Sequence, residues 1–222
     1  MSEVWMCDVK GDYRIGDKLG LAHKFYGHDW QPAKHIRGSL PDEMLKNMNR
    51  HNKGEFLSRK EMPEASYVFS EKSFKKAKDL FPVAGFIVVR GQLAKILSEM
   101  DLGEGALVPY TIYASDKETP LDDEFFILNF GAMKNSFLPH KSQKVEELLN
   151  LKQDGIELWV NNYASDDDIA VSQSAIEGAD LWYDTRISDF FFMSETLVKA
   201  IQDANIKPDL RLFKCRVLDA KG

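Results

Sequence analysis

The sequence predicts an α+β fold of mixed and antiparallel sheets containing two related strand–helix–strand units. Three observations carry this. The chain repeats itself: FIVVRGQLAKILSEMDLGEGALVPYTIY at residues 86–113 is matched 104 residues later by FFFMSETLVKAIQDANIKPDLRLFKCRV at 190–217. Phe86 falls on Phe190, Leu93 on Leu197, Lys95 on Lys199, Leu97 on Ile201 and Leu102 on Ile206. Each copy is an apolar run, a polar residue at a helix start, an amphipathic helix, a short break and a β-rich run. The hydrophobic period also changes along the chain, from alternation to helical spacing and back. Finally, helices and strands interleave without a steady βαβ rhythm, which favours α+β over doubly wound α/β.

Taken in order, Val4 to Val9 alternates well enough for a first strand. Residues 10–40, rich in Gly, Asp, His and Lys, read as a long irregular surface segment. Pro41-Asp42 opens a short helix through Met48. Ser70 is an N-cap for a helix from Glu71 to Leu80, which Phe81-Pro82 ends. Val88-Val89 lead into a helix at Gln92 to Met100, whose Leu93, Ile96, Leu97 and Met100 follow the i, i+3, i+4, i+7 rule. Gly103 and Gly105 break it, and Leu107 to Tyr113 is a strand. An acidic turn, Asp116 to Glu124, precedes Phe125 to Phe130, whose uninterrupted apolar residues predict a strand buried on both faces. Residues 131–142 read as a loop, Val145 to Leu151 as a helix, Ile156 to Val160 and Ile169 to Val171 as strands. In the second copy Phe190 to Met193 is a strand, Ser194 an N-cap and Glu195 to Ala204 a helix with Leu197, Val198 and Ile201 as its apolar stripe. Leu210 to Leu218 reads as a half-buried terminal strand.

A chain of 222 residues can bury a sizeable core. Its net charge of −6 argues against generic nucleic-acid binding, which needs clustered Lys and Arg for phosphate. An acidic surface suits a basic protein partner instead. Cys7 and Cys215 sit in apolar, strand-like surroundings and read as two buried free thiols, a disulfide between the terminal strands being the alternative. The opening residues lack a basic stretch followed by an apolar one, so no signal peptide is expected. No run approaches the ~18 apolar residues of a membrane span. The expectation is a soluble cytoplasmic protein with no membrane partner.

The search for catalytic chemistry assigns no residue. His23, His28 and His35 share a segment without zinc-site spacing and read as surface or partner-contact histidines; His51 and His140 are isolated. Neither a CxxC nor an HExxH occurs, so no metal is expected. Ser73-Phe74-Lys75-Lys76 fits SxxK, but its SDN and KTG companions are missing and a Ser-rich helix start accounts for it. Gly103-Glu104-Gly105 follows a helix rather than opening one, so it offers no phosphate cradle and no cofactor is expected. Two acidic clusters remain, Asp122, Asp123 and Glu124, and Asp166, Asp167 and Asp168. They are solvated turns or an acidic face that meets a basic cleft. Trp182, followed by Asp184 and Arg186, reads as a structural corner, with the indole packed and the Arg bonded to backbone carbonyls or to Asp.

Ala175-Ile176-Glu177-Gly178-Ala179-Asp180-Leu181-Trp182-Tyr183-Asp184, with Phe191-Phe192-Met193-Ser194-Glu195-Thr196-Leu197 after it, resembles the C-terminal signature of immunity family eleven of bacterial polymorphic toxin systems. Residues 86–113, then Pro120-Leu121 and Phe125-Phe126-Ile127-Leu128-Asn129-Phe130-Gly131, are similar to the family's central pattern. Arg90 stands where a Ser is commoner, and Tyr183 replaces the usual Arg. The resemblance covers roughly residues 65–218, giving an immunity-family domain over 65–222 and an N-terminal strand and irregular segment over 1–64 in the same body. It implies a non-enzymatic protein that binds and neutralises a cognate toxin by stoichiometric occlusion. Such a toxin would act in the cytoplasm, with a nuclease the leading expectation and type VI secretion a route of delivery. The two acidic clusters are then the expected toxin contacts, and Trp182, Asp184, Arg186 and Ser194 the structural motif. The rival readings are a hydrolase using the carboxylates or the His23/His28 segment, and an interaction scaffold.

Overall fold

A helix joining two parallel strands must cross over the sheet, because parallel neighbours cannot be linked by a tight turn. Both repeat copies do this, in the same way. The computed structural model describes residues 2–9, 16–31, 40–153, 156–161, 164–208 and 210–219, and of residues 16–17, 149–153 and 156 the backbone alone. His35, and residues 10–15 and 32–39 of the segment read as irregular, lie outside the described residues. The elements run β1 (Val4–Val9), α1 (Gly16–Leu19), β2 (Leu21–Phe25), α2 (Asp42–His51), β3 (Pro63–Val68), α3 (Glu71–Phe74), β4 (Leu80–Val83), β5 (Phe86–Arg90), α4 (Gly91–Ser98), β6 (Ala106–Tyr113), β7 (Phe125–Asn129), β8 (Met133–Lys134), β9 (Val145–Gln153), β10 (Ile156–Asn161), β11 (Ala170–Ser172), β12 (Leu181–Asp184), β13 (Phe191–Ser194), α5 (Glu195–Asp203), β14 (Leu210–Lys214) and β15 (Arg216–Leu218). The fold is α+β, with mixed and antiparallel sheets.

A six-stranded sheet has the order β2-β3-β6-β7-β5-β4 and a five-stranded sheet the order β14-β1-β13-β12-β8. In the first, β5 and β6 are each antiparallel to β7, which lies between them. In the second, β13 and β14 are each antiparallel to β1 between them. The two copies are therefore the same split unit: two parallel strands, a crossover helix, and a foreign strand inserted in the gap. The insert follows the unit in the first copy and comes from the N-terminal strand in the second.

Side-chain alternation along the strands builds three cores. Ile87 and Val89 of β5, Cys7 and Val9 of β1, and Phe191 and Met193 of β13 face a central core that holds Leu93 and Leu97 of α4 and Leu197 and Ile201 of α5. The two helices lie against each other between the sheets. Phe86 and Val88 turn the other way, toward Met44 of α2, Leu57, Met62 and Phe74. Val4, Met6, Trp182 and Phe192 face a third core with Phe137, Val171 and Cys215. Cys7 and Cys215 thus lie on opposite faces of one sheet, both buried and free.

The helix starts show how little a single cap decides. Ser194 accepts from the Leu197 N–H at 3.2 Å, whereas Arg90 at the equivalent position makes no capping bond. A cap is worth about 1 kcal/mol, less than the ~1.5–3 kcal/mol from burying Leu93 alone, so α4 forms without one.

Several expectations are corrected. The helix drawn from Glu71 to Leu80 is a single turn, and Ser70 bonds the Ser73 hydroxyl at 3.1 Å rather than a backbone N–H. Leu80, Phe81 and Val83 are almost wholly buried and form edge strand β4, where Pro82 is tolerated because an edge leaves one N–H direction unused. Val145 to Leu151 is not helical but strand β9, paired antiparallel with β10. VEELLNL carries apolar residues at both helical and strand spacing, and the partner strand decides. The segment read as irregular contains β2, paired with β3, with His23 turned inward. The helix opened by Pro41 runs to His51. The terminal strand is interrupted at Cys215: β14 pairs with β1, while β15 leaves for a parallel pairing with β11.

Gly131 marks a close approach of two backbones. A Cβ there would lie 2.3 Å from the Gly105 nitrogen and 2.5 Å from the Glu104 carbonyl carbon. Neither atom belongs to a flexible side chain. Gly131→Ala is expected to lower stability by about 1–3 kcal/mol, read as a shift of the urea midpoint at unchanged slope; an unshifted midpoint would show that the strands slide apart freely.

Candidate functional site

The two acidic clusters lie in loops that lead into strands of different sheets, the first into β7 and the second toward β11. The connection from Asp116 to Glu124 holds five acids and one lysine, a net −4 of the chain's −6. Its tip is ordered by Asp116, whose carboxylate accepts the Thr119 hydroxyl at 2.6 Å and the backbone N–H groups of Thr119 and Glu118 at 2.9 and 3.0 Å. These bonds hold its carboxyl down to about 2, the Thr119 hydroxyl contributing most. Lys117 lies over the Tyr67 ring, so the loop's one cation is folded onto the sheet. Asp122, Asp123 and Glu124 are exposed. Asp123 pairs with Arg90 at 2.9 Å.

The second cluster latches an edge. Asp166 accepts the Lys214 N–H at 2.9 Å, the Asp167 N–H donates to the Lys214 carbonyl at 2.8 Å, and the Asp167 carbonyl accepts from the Arg216 guanidinium at 2.7 Å. Asp168 is corrected from an exposed contact to a buried one. It is 7% exposed and accepts Lys144 at 2.8 Å and the Ser165 N–H at 2.7 Å. The Lys144 ammonium holds its carboxyl below the usual carboxylate range. Asp166 and Asp167 are exposed, but their bonds serve the β14–β15 break.

The corner around Trp182 joins the two repeat copies. Asp180, which sequence reading left without a role, accepts the Ser194 hydroxyl at 2.5 Å and the Asp101 N–H at 3.0 Å. It thereby ties the end of the first crossover helix to the start of the second. Trp182 is fully buried, stacked on Phe192 with ring centroids 5.8 Å apart. Lys134 lies 3.5 Å from the centre of its ring and donates to the carbonyls of Ala175 and Ala179. Partial burial lowers Lys134 to about 8. Asp184 accepts the N–H groups of Ser136 and Phe137 at 2.6 and 2.8 Å and the Ser136 hydroxyl at 2.9 Å. Its tie to Arg186 runs through the Arg186 backbone N–H at 3.1 Å and not through a guanidinium. Burial raises the Asp184 carboxyl above its ordinary value.

The described histidines do not assemble. His28 is exposed, while His23 is buried and bonded to Ser66 at 2.8 Å, which in turn bonds the Tyr110 hydroxyl at 2.6 Å. Ser66 is wholly enclosed, so the three groups form a polar chain through the sheet's interior. Ser73 bonds Ser70. Among the described residues no three His, Cys, Asp or Glu side chains are placed to hold a metal ion, and no helix is long and apolar enough to cross a membrane. Burial pushes the Cys215 thiol up to about 12 and raises Cys7 as well, the reverse of an activated thiolate.

Two concavities among the described residues bear on the site. A groove of about 700 Å³ runs beside α4, over Leu107 and Phe126. A cleft of about 220 Å³ lies between the end of α2 and β12, beside Met133. A family model described as the immunity protein family Imm11 matches residues 22–211. The chain belongs to this family. Among curated proteins none matches significantly.

Imm11 membership assigns an immunity function and the binding of a cognate toxin. Of the residues that carried the resemblance, Phe86, Leu93, Phe130, Leu181, Trp182 and Leu197 lie in the interior, where they set the frame. Asn129 of the Leu128-Asn129-Phe130 stretch clips the segment after α2 by accepting the Leu57 N–H at 3.1 Å and donating to the Leu57 carbonyl at 2.8 Å. Tyr183 packs against Phe130 and Phe191 in the central core. Arg90 stands in the wall of the groove beside α4. It lies over Phe74, Phe81 and Phe125 at 5.7, 6.0 and 5.8 Å, donates to the Ala77 carbonyl at 2.7 Å and reaches the groove.

Proposed function

We propose that this protein protects the cell by forming a stoichiometric complex with a toxin that acts in the cytoplasm, covering the toxin's working cleft without transforming it. Family membership is the observation that supports this most directly. The charge supports the kind of partner. Four of the six net negative charges sit in one exposed connection, and a concentrated acidic surface speeds association with a basic cleft of the sort a nuclease presents. Delivery by a type VI secretion system and a cytoplasmic location for this chain complete the reading.

Co-expression tests it. The neighbouring gene is expected to encode a toxin domain that arrests growth alone, is silent when this protein is present, and co-purifies with it at one to one. Undiminished killing, or turnover of a substrate by this protein alone, would overturn the proposal.

A further inference from the structure

We propose that the groove beside α4 is where the toxin is held, and that its occupant is a toxin loop presenting a lysine or arginine next to an apolar side chain. This rests on the reading just given and adds the place and the chemistry. The groove follows from the topology. The crossover helix α4 packs on β5 and β6, and its neighbour α5 belongs to the other sheet. Leu107 of β6 and Phe126 of β7 share the face that α4 covers, yet both stay half-buried at its margin. With Ala94 they make an apolar floor, and three acids, Asp79, Asp123 and Glu124, stand around it with two bases, Arg90 and Lys95.

The rim is chemically biased. Arg90 is already committed to Asp123, to the Ala77 carbonyl and to three phenylalanine faces, so its charge is neutralised within the wall. The Asp116 to Glu124 connection, with its net −4, runs directly into Glu124. An entering cation meets an acidic lip, and its aliphatic stem meets Leu107 and Phe126, the division that long basic side chains favour. The floor is carried by strands and a helix, so little order has to be acquired there on binding, while Asp79, Asp123 and Glu124 stand on the connections that lead into β4 and β7. The smaller cleft beside α2 lacks this bias: Asp184 is consumed by Ser136 and Phe137, which leaves Lys53 and Asp189 among its lining charges.

Three variants of the full chain decide it, measured against the toxin domain encoded beside it. Glu124→Lys changes the rim, and Ser98→Trp on the exposed side of α4 fills the groove. Met133→Arg changes the other cleft at a residue 43% exposed. Thermal melting within about 2 °C of wild type certifies the fold of each. Glu124→Lys is expected to slow association about tenfold at low salt and to flatten its salt dependence. Ser98→Trp is expected to speed dissociation at least about thirtyfold, and Met133→Arg to leave both rates unchanged. Wild-type kinetics for both groove variants, or loss of binding with Met133→Arg alone, would refute the placement while leaving the immunity reading intact. A wild-type protein that does not bind the toxin at all would remove both.

Discussion

Replacing Trp182 by alanine should remove about 3–5 kcal/mol of stability, a large part of the roughly 5–15 kcal/mol that holds a typical domain. The indole is fully enclosed, stacked on Phe192 and covered by Lys134. Its removal opens a cavity in the third core and takes away the ring beneath a half-buried ammonium. Trp182→Phe is expected to lose far less, about 1 kcal/mol. The indole Nε1 finds no acceptor among the described residues, so a ring without that N–H gives up no bond. Urea denaturation followed by far-ultraviolet circular dichroism measures both. The two variants should also separate in cells. Trp182→Ala should lose protection through low abundance, with its toxin-facing surface untouched. Equal midpoints for alanine and phenylalanine would show that the corner is held by Asp180 and Asp184 rather than by the ring.

Mild acid should destabilise the protein through His51. This side chain is fully buried between Phe86 and Phe130 and accepts the Ile87 N–H at 3.4 Å. Burial lowers its folded value to about 3, against ~6.5 in an unfolded chain. The folded value is the depressed one, so the unfolded chain takes the proton first as pH falls. Stability is complete above pH ~6.5 and declines below it at up to ~1.4 kcal/mol per pH unit until the folded ring also protonates. Asp184 runs the other way: its raised folded value gives stability that is present at low pH and lost as pH rises through that value. His51→Phe isolates the two. It sacrifices the bond to Ile87 at every pH but should flatten the stability profile between pH 6 and 4.5. An unchanged slope would assign the acid sensitivity elsewhere.

What was legible in the sequence was what local packing dictates. The repeat was visible because its matched residues do matched work: Leu93 and Leu197 are 1% and 0% exposed, Leu97 and Ile201 2% and 4%, and both helices start one residue after positions 90 and 194. The inserted strands were not visible. Nothing in Phe125 to Asn129 or Val4 to Val9 states which pair of strands each will separate, since that information lies in residues far along the chain. Val145 to Leu151 failed for a related reason, its spacing serving either period until β10 chose. The acidic connection of the candidate site could be read as charge, but the groove it borders exists only once α4 has crossed the sheet. Asp180 and Asn129 had a signal, since both sit inside the family stretches. Their task of bonding distant backbone could not be told from a surface turn or a strand interior.

The place of β1 between β13 and β14 sets an order of events during synthesis. This strand pairs with strands made far later: Trp5 lies opposite Met193 and Lys214. On the ribosome β1 must wait with both edges unpaired until residue 214 has emerged, whereas the six-stranded sheet can close much earlier, once β7 is out. Contacts this remote in sequence slow folding and leave a half-finished nascent chain with an open edge. A cell that depends on this protein for survival must therefore begin making it well before its partner appears.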